Sequence, residues 1–198
     1  MSPVREATFS GVRLLTAPGR VMTPRSTTEP LVERALARIG STPATVADVG
    51  SGSGAIAIAI AVRAPNAEVW AVDSNAEAVE LTRANVMRYG LGGRVHVVRG
   101  DLLDGVPAKL DIVAANLPYL PERLAGERDF SDLLVEPLDA VFAPGDGLGP
   151  YRRLLAASQR RLTESGALLV QYRGRIFEAE RSRLGDLLAE LEQQALAA

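Results

Sequence analysis

The stretch Val46-Ala47-Asp48-Val49-Gly50-Ser51-Gly52-Ser53-Gly54 joins a short apolar strand, Thr45 to Val49, to an almost wholly apolar helix, Ala55 to Arg63. Glycines at this junction let the chain turn sharply after the strand and bring its backbone close to a ligand. The free N–H groups at the start of the helix then point at whatever is bound there.

Working outward, Ala64-Pro65-Asn66 stops the helix, and strand and helix go on alternating. Glu68 to Val72 reads as a second strand and Asn75 to Tyr89 as a helix, with Ala78, Val79, Thr82 and Val86 near one face and Gly90, Gly92 and Gly93 at its end. Val95 to Val98 is a third strand, Leu110 to Ala115 a fourth, Pro150 to Leu162 a helix and Ala167 to Gln171 a fifth strand. A last helix is expected over Ile176 to Leu196, with Phe177, Leu184, Leu188 and Leu191 on one stripe. Strands separated by helices of this length pair in parallel through right-handed crossovers, so the expected fold is α/β, a doubly wound, mostly parallel sheet. Upstream, Phe9 to Leu15 and Arg20 to Thr23 flank Ala17-Pro18-Gly19 as a β-hairpin, and Pro30 sits in the first turn of a helix running to Ile39. The segment from Leu117 to Pro150, rich in proline and glycine from Pro137 onward, is too long for a passive connection and is a candidate substrate loop.

At 198 residues the chain fits one domain, read as a hairpin and helix over 1–40, a sheet core over 41–172 and a C-terminal helix over 173–198. Hydrophobic residues make up 47% and charged residues 23%, which suits a single buried core. A net charge of −2 gives no overall positive field to recruit nucleic acid, although a local basic patch would still serve. With no cysteine, disulfides, zinc-thiolate sites and thiol catalysis are excluded. The first fifteen residues hold no sustained apolar segment, and the longest apolar run, Ala55 to Val62, is far below the roughly 20 residues of a membrane span. A cytoplasmic protein is expected, with no membrane association and no bound metal, as a monomer or weak dimer.

Two acids stand where a ligand at this sheet would meet them. Asp73, nineteen residues past Gly54, ends the second strand and can accept hydrogen bonds from both ribose hydroxyls of an adenosine. Asp101, after the third strand, can take an adenine amino group. A tight turn with no ligand, and helix capping by each acid, are the plain alternatives. Gly50, Gly52 and Ala55 also satisfy the dinucleotide pattern, but Asp48, two residues earlier, would repel a pyrophosphate. Its charge suits the cationic amino-acid end of S-adenosylmethionine.

At the end of the fourth strand the chain reads Asn116-Leu117-Pro118-Tyr119. Asn116 offers a carbonyl acceptor and an amide donor to the ligand crevice. Leu117 precedes proline, so its backbone is biased to the extended region and its carbonyl can face the cleft. Tyr119 supplies an aromatic face for a planar group. Such acceptors can orient both N–H bonds of an amide and favour the positive charge that develops on nitrogen during methylation, with no strong base required. A proline turn with a capping Asn is the bland reading.

These residues resemble the class I, S-adenosylmethionine-dependent methyltransferases, and most closely the release-factor glutamine methyltransferases, the HemK/PrmC family, from about Phe9 to Gln171. Thr23 to Glu29 is similar to that family's Pro-Arg-x-x-Thr-Glu segment, Asp48 to Gly54 to its first cofactor motif, and Asn116 to Tyr119 to its Asn-Pro-Pro-Tyr. The stretch Glu136-Pro137, then Gly145-Asp146-Gly147-Leu148, then Tyr151-Arg152-Arg153-Leu154, resembles its most distinctive one. The resemblance implies a Rossmann-like sheet and S-adenosylmethionine as cofactor, held by Asp48, Gly50, Ser51, Gly52, Gly54, Asp73, Ser74, Asp101, Leu102 and Asn116. It implies Asn116, Pro118 and Tyr119 as catalytic residues and Arg25, Thr28, Glu29, Leu117 and Glu136 as substrate contacts. The implied partner is a protein, a release factor whose Gly-Gly-Gln loop carries the glutamine.

The chain departs from that pattern in three places. Leu117 replaces the first proline, and Asn-Leu-Pro-Tyr is more typical of ribosomal RNA adenine dimethyltransferases. The family's N-terminal helical domain is absent, and the final two strands of its sheet are not found after Gln171, so a minimal catalytic domain is expected. Two further readings therefore stay open: an adenine-amino methyltransferase acting on RNA or DNA, with Tyr119 stacking the base, and a non-catalytic cofactor-binding domain. His96, the sole histidine, is read as structural, and Trp70 as core or near the adenosine. Arg20 and Arg25 are read as solvated or as steering an acidic partner, and no role is assigned to Arg173 and Arg175.

Overall fold

The computed structural model describes residues 4–107, 109–125, 127 and 135–196. In chain order these form β1 (Arg5–Phe9), β2 (Val12–Thr16), α1 (Glu29–Ile39), β3 (Ala44–Val49), α2 (Ala55–Arg63), β4 (Ala67–Asp73), α3 (Ala76–Arg88), β5 (Val95–Arg99) and β6 (Leu110–Ala115). There follow β7 (Leu120–Pro121), α4 (Leu138–Val141), β8 (Phe142–Ala143), α5 (Gly149–Arg161), β9 (Leu162–Tyr172), β10 (Arg175–Glu180) and α6 (Leu184–Leu196). The central sheet has the order β10-β9-β6-β3-β4-β5 and is parallel throughout except for β10, which pairs antiparallel with β9. From β3 the chain moves outward through β4 to β5, then returns to lay β6 on the other side of β3. The order reverses between β3 and β6, and a crevice opens there at their carboxyl ends.

Helices cover both faces. On one, α1, α2 and the Val86 side of α3 pack on the sheet, and every residue of α2 from Ala55 to Ala61 is buried. That explains its apolar sequence: α1, α3 and the sheet leave it no polar face. The second face is closed by α5 and α6 through Tyr151, Leu154, Leu184, Leu187 and Leu191. Among the described residues no helix is long and apolar enough to cross a membrane.

Three expectations need correction. The N-terminal hairpin turns at Ser10-Gly11, both with positive φ (45° and 80°), rather than around Ala17-Pro18-Gly19. Two left-handed residues form the tight turn that matches strand twist, whereas Ala17 to Val21 makes a separate turn closed by Arg20 N–H and Val21 N–H on the Ala17 carbonyl. The segment from Ile176 is not one helix. Arg173 and Gly174 (φ 50° and 76°) reverse the chain so that Arg175–Glu180 returns along β9, and only Leu184–Leu196 is helical. One strand, β10, is therefore present beyond Gln171, where none was expected. Phe177 and Ala179 face inward from β10, while Glu178 and Glu180 pair with Arg34 and Arg38 of α1 outside. Within the candidate substrate loop, β7, α4 and β8 add short structure, and residues 126 and 128–134 lie outside the described residues.

The hairpin is fastened to the sheet by Asn85 of α3, which is wholly buried. Its carboxamide exchanges two hydrogen bonds with the Leu15 backbone (2.8 and 3.0 Å), as a neighbouring strand would, and donates a third to the Ser53 carbonyl at 2.9 Å.

Candidate functional site

The glycine turn folds back over the end of β4, with the N–H groups of Gly50 and Ser51 both donating to the Val72 carbonyl at 2.9 and 3.0 Å. Gly50 has φ 73°, and a Cβ there would lie 2.9 Å from Leu117 Cδ2. The positive φ favours glycine, and the missing Cβ leaves room for the Leu117 side chain from the neighbouring strand's end. Beneath the turn Asp48 is fully buried; its Oδ2 accepts from Ala57 N–H at 3.0 Å and its Oδ1 has no partner. Burial, with a smaller contribution from the Asp73 charge, pushes its carboxyl up to about 7. Ser51 Oγ is also buried and unpartnered. Orphaned buried polar atoms are rare in native proteins, and their presence at this turn fits a site built for a polar ligand.

At the end of β4, Asp73 holds its place through both oxygens: Oδ2 accepts from Gly52 N–H at 2.8 Å and Oδ1 from Asn75 N–H at 2.9 Å. Burial raises its pKa, the backbone donors oppose the rise, and Asp139 across the cavity adds to it. Beyond β5, Asp101 pairs with Arg153 of α5. Leu102 has φ 52°, a conformation costing about 1 kcal/mol for a non-glycine residue and often kept where a ligand needs the side chain. At the end of β6, Asn116 Nδ2 donates to Thr28 Oγ1 at 3.1 Å. The Thr27 carbonyl next door accepts from Gln171 Nε2 at 3.0 Å, which anchors the single 3-10 turn Ser26–Thr28 to β9.

These parts enclose one cleft of about 300 Å³. It brings together Gly50, Ser51 and Gly52, Asp73 and Ser74, Asp101 and Leu102, Asn116, Leu117 and Pro118, and Arg25 and Thr28. Asp48 and Gly54 lie behind this wall. Tyr119 also stands apart, tilted against Tyr172 at 5.2 Å, with its carbonyl pressed on Gly147. Burial raises the Tyr119 phenol, against the opposing charges of Arg173 and Arg25. Glu29 is turned away and accepts from Ser10 N–H at 2.9 Å, bracing the hairpin on α1. Glu136 is buried and accepts from Thr23 N–H at 3.1 Å and its hydroxyl at 3.3 Å, with Arg25 4.0 Å away. It thus ties the two loops over the cleft to each other.

The cleft also takes residues the sequence reading missed or gave no place in the site: Met22, Thr23, Asn75, Asp139, Arg153 and also Arg20, whose partner is Glu77. Thr23 and Arg153 fell within quoted motif stretches without a role, and Asn75 carried a local signal as the residue capping α3. Trp70 is not beside the cleft; it stacks on His96 at 4.6 Å, and His96 pairs with Glu68 at 2.8 Å. Arg173 forms the turn between β9 and β10.

The fold is that of the Rossmann-like methyltransferases. The ribosomal protein L11 methylase of Lactobacillus delbrueckii subsp. bulgaricus superposes with a TM-score of 0.54 at 24% identity, over 89% of this chain and 73% of that one. The T. thermophilus 16S rRNA N2 G1207 methyltransferase RsmC, solved with AdoMet and guanosine, gives a TM-score of 0.60 at 18% identity, over 85% of this chain and 41% of that one. The chain itself belongs to the methyltransferase small domain family, whose model matches residues 27–136. It is similar to the release factor glutamine methyltransferase of Gloeobacter violaceus, with 39% identity over 153 residues, 76% of this chain and 54% of that protein. The protein of the same name from Chlorobaculum tepidum is 31% identical over 198 residues, 94% of this chain and 67% of that protein. The chain spans about half to two thirds of the length of such relatives.

Proposed function

We propose that the chain transfers a methyl group from S-adenosylmethionine to a planar amide nitrogen, that of a glutamine side chain in a protein, with the Gly-Gly-Gln loop of a peptide chain release factor as its target. The observation that carries this reading is the orientation of Asn116. A carboxamide has one donating and one accepting end. With Nδ2 spent on Thr28 Oγ1, Oδ1 is left as an acceptor at the cleft. The names of the curated relatives support the same substrate class.

The donor set fits the cofactor. Ser51 suits its amino-acid end, with the Asp48 charge acting from behind the turn; Gly50 and Gly52 suit the backbone approach, Asp73 and Ser74 the ribose, and Asp101 with Leu102 the adenine. S-adenosylmethionine supplies, when bound, an electrophilic methyl group on a sulfonium. Asn116 Oδ1 and the Leu117 carbonyl accept the two N–H bonds of the target amide and fix its plane. Drawing on both hydrogens raises electron density on nitrogen and favours the positive charge that develops there. Pro118 stiffens the turn that presents these acceptors. Tyr119 stands behind this turn against Tyr172 and supports it, while Arg25 and Glu136 hold the loop above the cleft. The proton lost from nitrogen passes to water, so no strong base is required. Holding the amide in line with the methyl group supplies much of the remaining rate.

The test is transfer of labelled methyl to a release factor and, in parallel, to unmodified ribosomal RNA, with wild type and Asn116→Ala. Label on the Gly-Gly-Gln glutamine, lost in the variant, is the expected result. Label on RNA adenine, or no label with the cofactor still bound, would overturn the reading.

A further inference from the structure

The β6–β9 ladder ends at the pair Ala115 and Val170, where the two strands part at the crevice. Just beyond, the hydroxyl of Tyr151, from α5, fills the gap. It lies 2.6 Å from the Gln171 carbonyl oxygen and 3.0 Å from that of Leu117, so one phenolic proton faces two backbone acceptors. The ring is fully buried and stands edge-on to Tyr172, with centroids 5.6 Å apart and planes at 85°. Gln171 is itself anchored through its side chain to the Thr27 carbonyl. The phenol is thus a side-chain rung that carries the sheet one residue past its backbone pairing. Burial holds its proton far above the ordinary tyrosine range, so the group stays a donor.

We propose that Tyr151 is a positioning residue for methyl transfer, whose hydroxyl aims the Leu117 carbonyl at the acceptor nitrogen. This rests on the reading above in taking that carbonyl as a contact of the target amide. The device needs both lone pairs of the Leu117 oxygen: one accepts from the phenol, and the other is left for a target N–H, so the peptide stays held from behind by a group that never touches the substrate. The Gln171 carbonyl, 2.6 Å from the same hydroxyl, fixes where the phenol sits.

The experiment compares wild type with Tyr151→Phe, which removes one oxygen and keeps the ring. Selective labelling with carbonyl-13C leucine and 15N proline isolates the Leu117-Pro118 and Leu120-Pro121 peptides in a carbonyl-detected NMR correlation. Tyr151→Phe should move the Leu117 carbonyl resonance, while Tyr172→Phe, which removes a neighbouring hydroxyl, should leave it in place. In the transfer assay Tyr151→Phe should lower kcat about ten- to a hundredfold, the scale of a misaimed group, with the S-adenosylmethionine Kd and acceptor KM little changed. An unmoved Leu117 resonance overturns the proposal, and so does a shifted resonance with unchanged kcat. Should the wild type transfer methyl to no acceptor, the reading of the substrate fails, and the resonance alone decides whether Tyr151 holds Leu117.

Discussion

Thr28 Oγ1 accepts a hydrogen bond from Asn116 Nδ2 at 3.1 Å, joining residues 88 positions apart in the chain. Thr28 is buried, so little water competes for the bond. Its effect is to choose which end of the Asn116 carboxamide faces the cleft. Replacing Thr28 by Val keeps the shape and removes the acceptor, which frees the carboxamide to turn its donor end toward the substrate. We expect kcat for methyl transfer to fall about tenfold, with S-adenosylmethionine affinity unchanged by calorimetry and Thr28→Ser close to wild type. Asn116→Ala, which deletes the acceptor itself, should cost about a hundredfold or more. Wild-type kcat in Thr28→Val would mean that Asn116 is oriented by something else.

The parts of the site legible in the sequence are those at strand ends. Asp48 and Asp73 lie at the ends of β3 and β4, Gly50 and Asn116 come directly after β3 and β6, Asp101 comes two residues after β5, and parallel pairing brings these carboxyl ends to one side. Local pattern and one topological rule are enough to gather them. Arg153 and Asp139 reach the same cleft from helices that are placed only by tertiary packing; Asp139 carries no local mark, and the Tyr151 to Leu154 stretch does not say where the Arg153 side chain goes. Both hairpin errors have a similar origin. Pro18-Gly19 is a more conspicuous turn signal than Ser10-Gly11, but the turn that joins the paired strands is the one with two left-handed residues. Phe177, Leu184 and Leu191 fit a helical stripe, and six residues of alternation in Arg175–Glu180 are too few to outweigh it. What settles that segment is the partner strand β9 and the arginines of α1, none of them nearby in sequence.

Asn85 couples the hairpin to the cofactor turn, because the carboxamide that serves Leu15 also holds the Ser53 carbonyl. Asn85→Leu would leave three backbone groups unpaired. At about 1 kcal/mol or more for each, the variant should lose about 3 kcal/mol of unfolding free energy in urea. Its affinity for S-adenosylmethionine should also drop, since the glycine turn loses a tether. A stability loss with full cofactor affinity would uncouple the two roles.

Gly147 packs the distant Gly145-Asp146-Gly147-Leu148 segment against the backbone of the Tyr119 turn. Its φ is 84°, and a Cβ there would sit 2.1 Å from the Tyr119 carbonyl oxygen, a distance no backbone tolerates. Gly147→Ala must therefore displace the Tyr119 turn, which follows directly on Asn116, Leu117 and Pro118. We expect a folded protein with Tm lowered by several degrees, S-adenosylmethionine binding largely kept, and methyl transfer reduced at least tenfold. Equal losses in binding and transfer would show that the strain spreads to the cofactor side instead.

Asp48 gives the site a pH dependence of opposite sign for stability and for binding. Its carboxyl titrates at about 7 in the folded chain, against 3.8 for the exposed group, so the native state holds the proton more tightly. Between about pH 4 and pH 7 the folded protein binds more protons than the unfolded one, and ligand-free stability falls as pH rises through that window. Asp73, also raised, adds a contribution of the same sign. A cationic amino group above Asp48 favours the carboxylate, so S-adenosylmethionine affinity should rise as pH climbs through 7 while the free protein becomes less stable. Asp48→Asn removes this titration with little change in volume. Its Tm should vary less over the same window, and its cofactor affinity should be weaker and nearly independent of pH. Thermal melts at about pH 5 and about pH 7, and titration calorimetry at about pH 6 and about pH 8, on both proteins, measure the two slopes. If Asp48→Asn keeps the wild-type slopes, the titrating group is not Asp48.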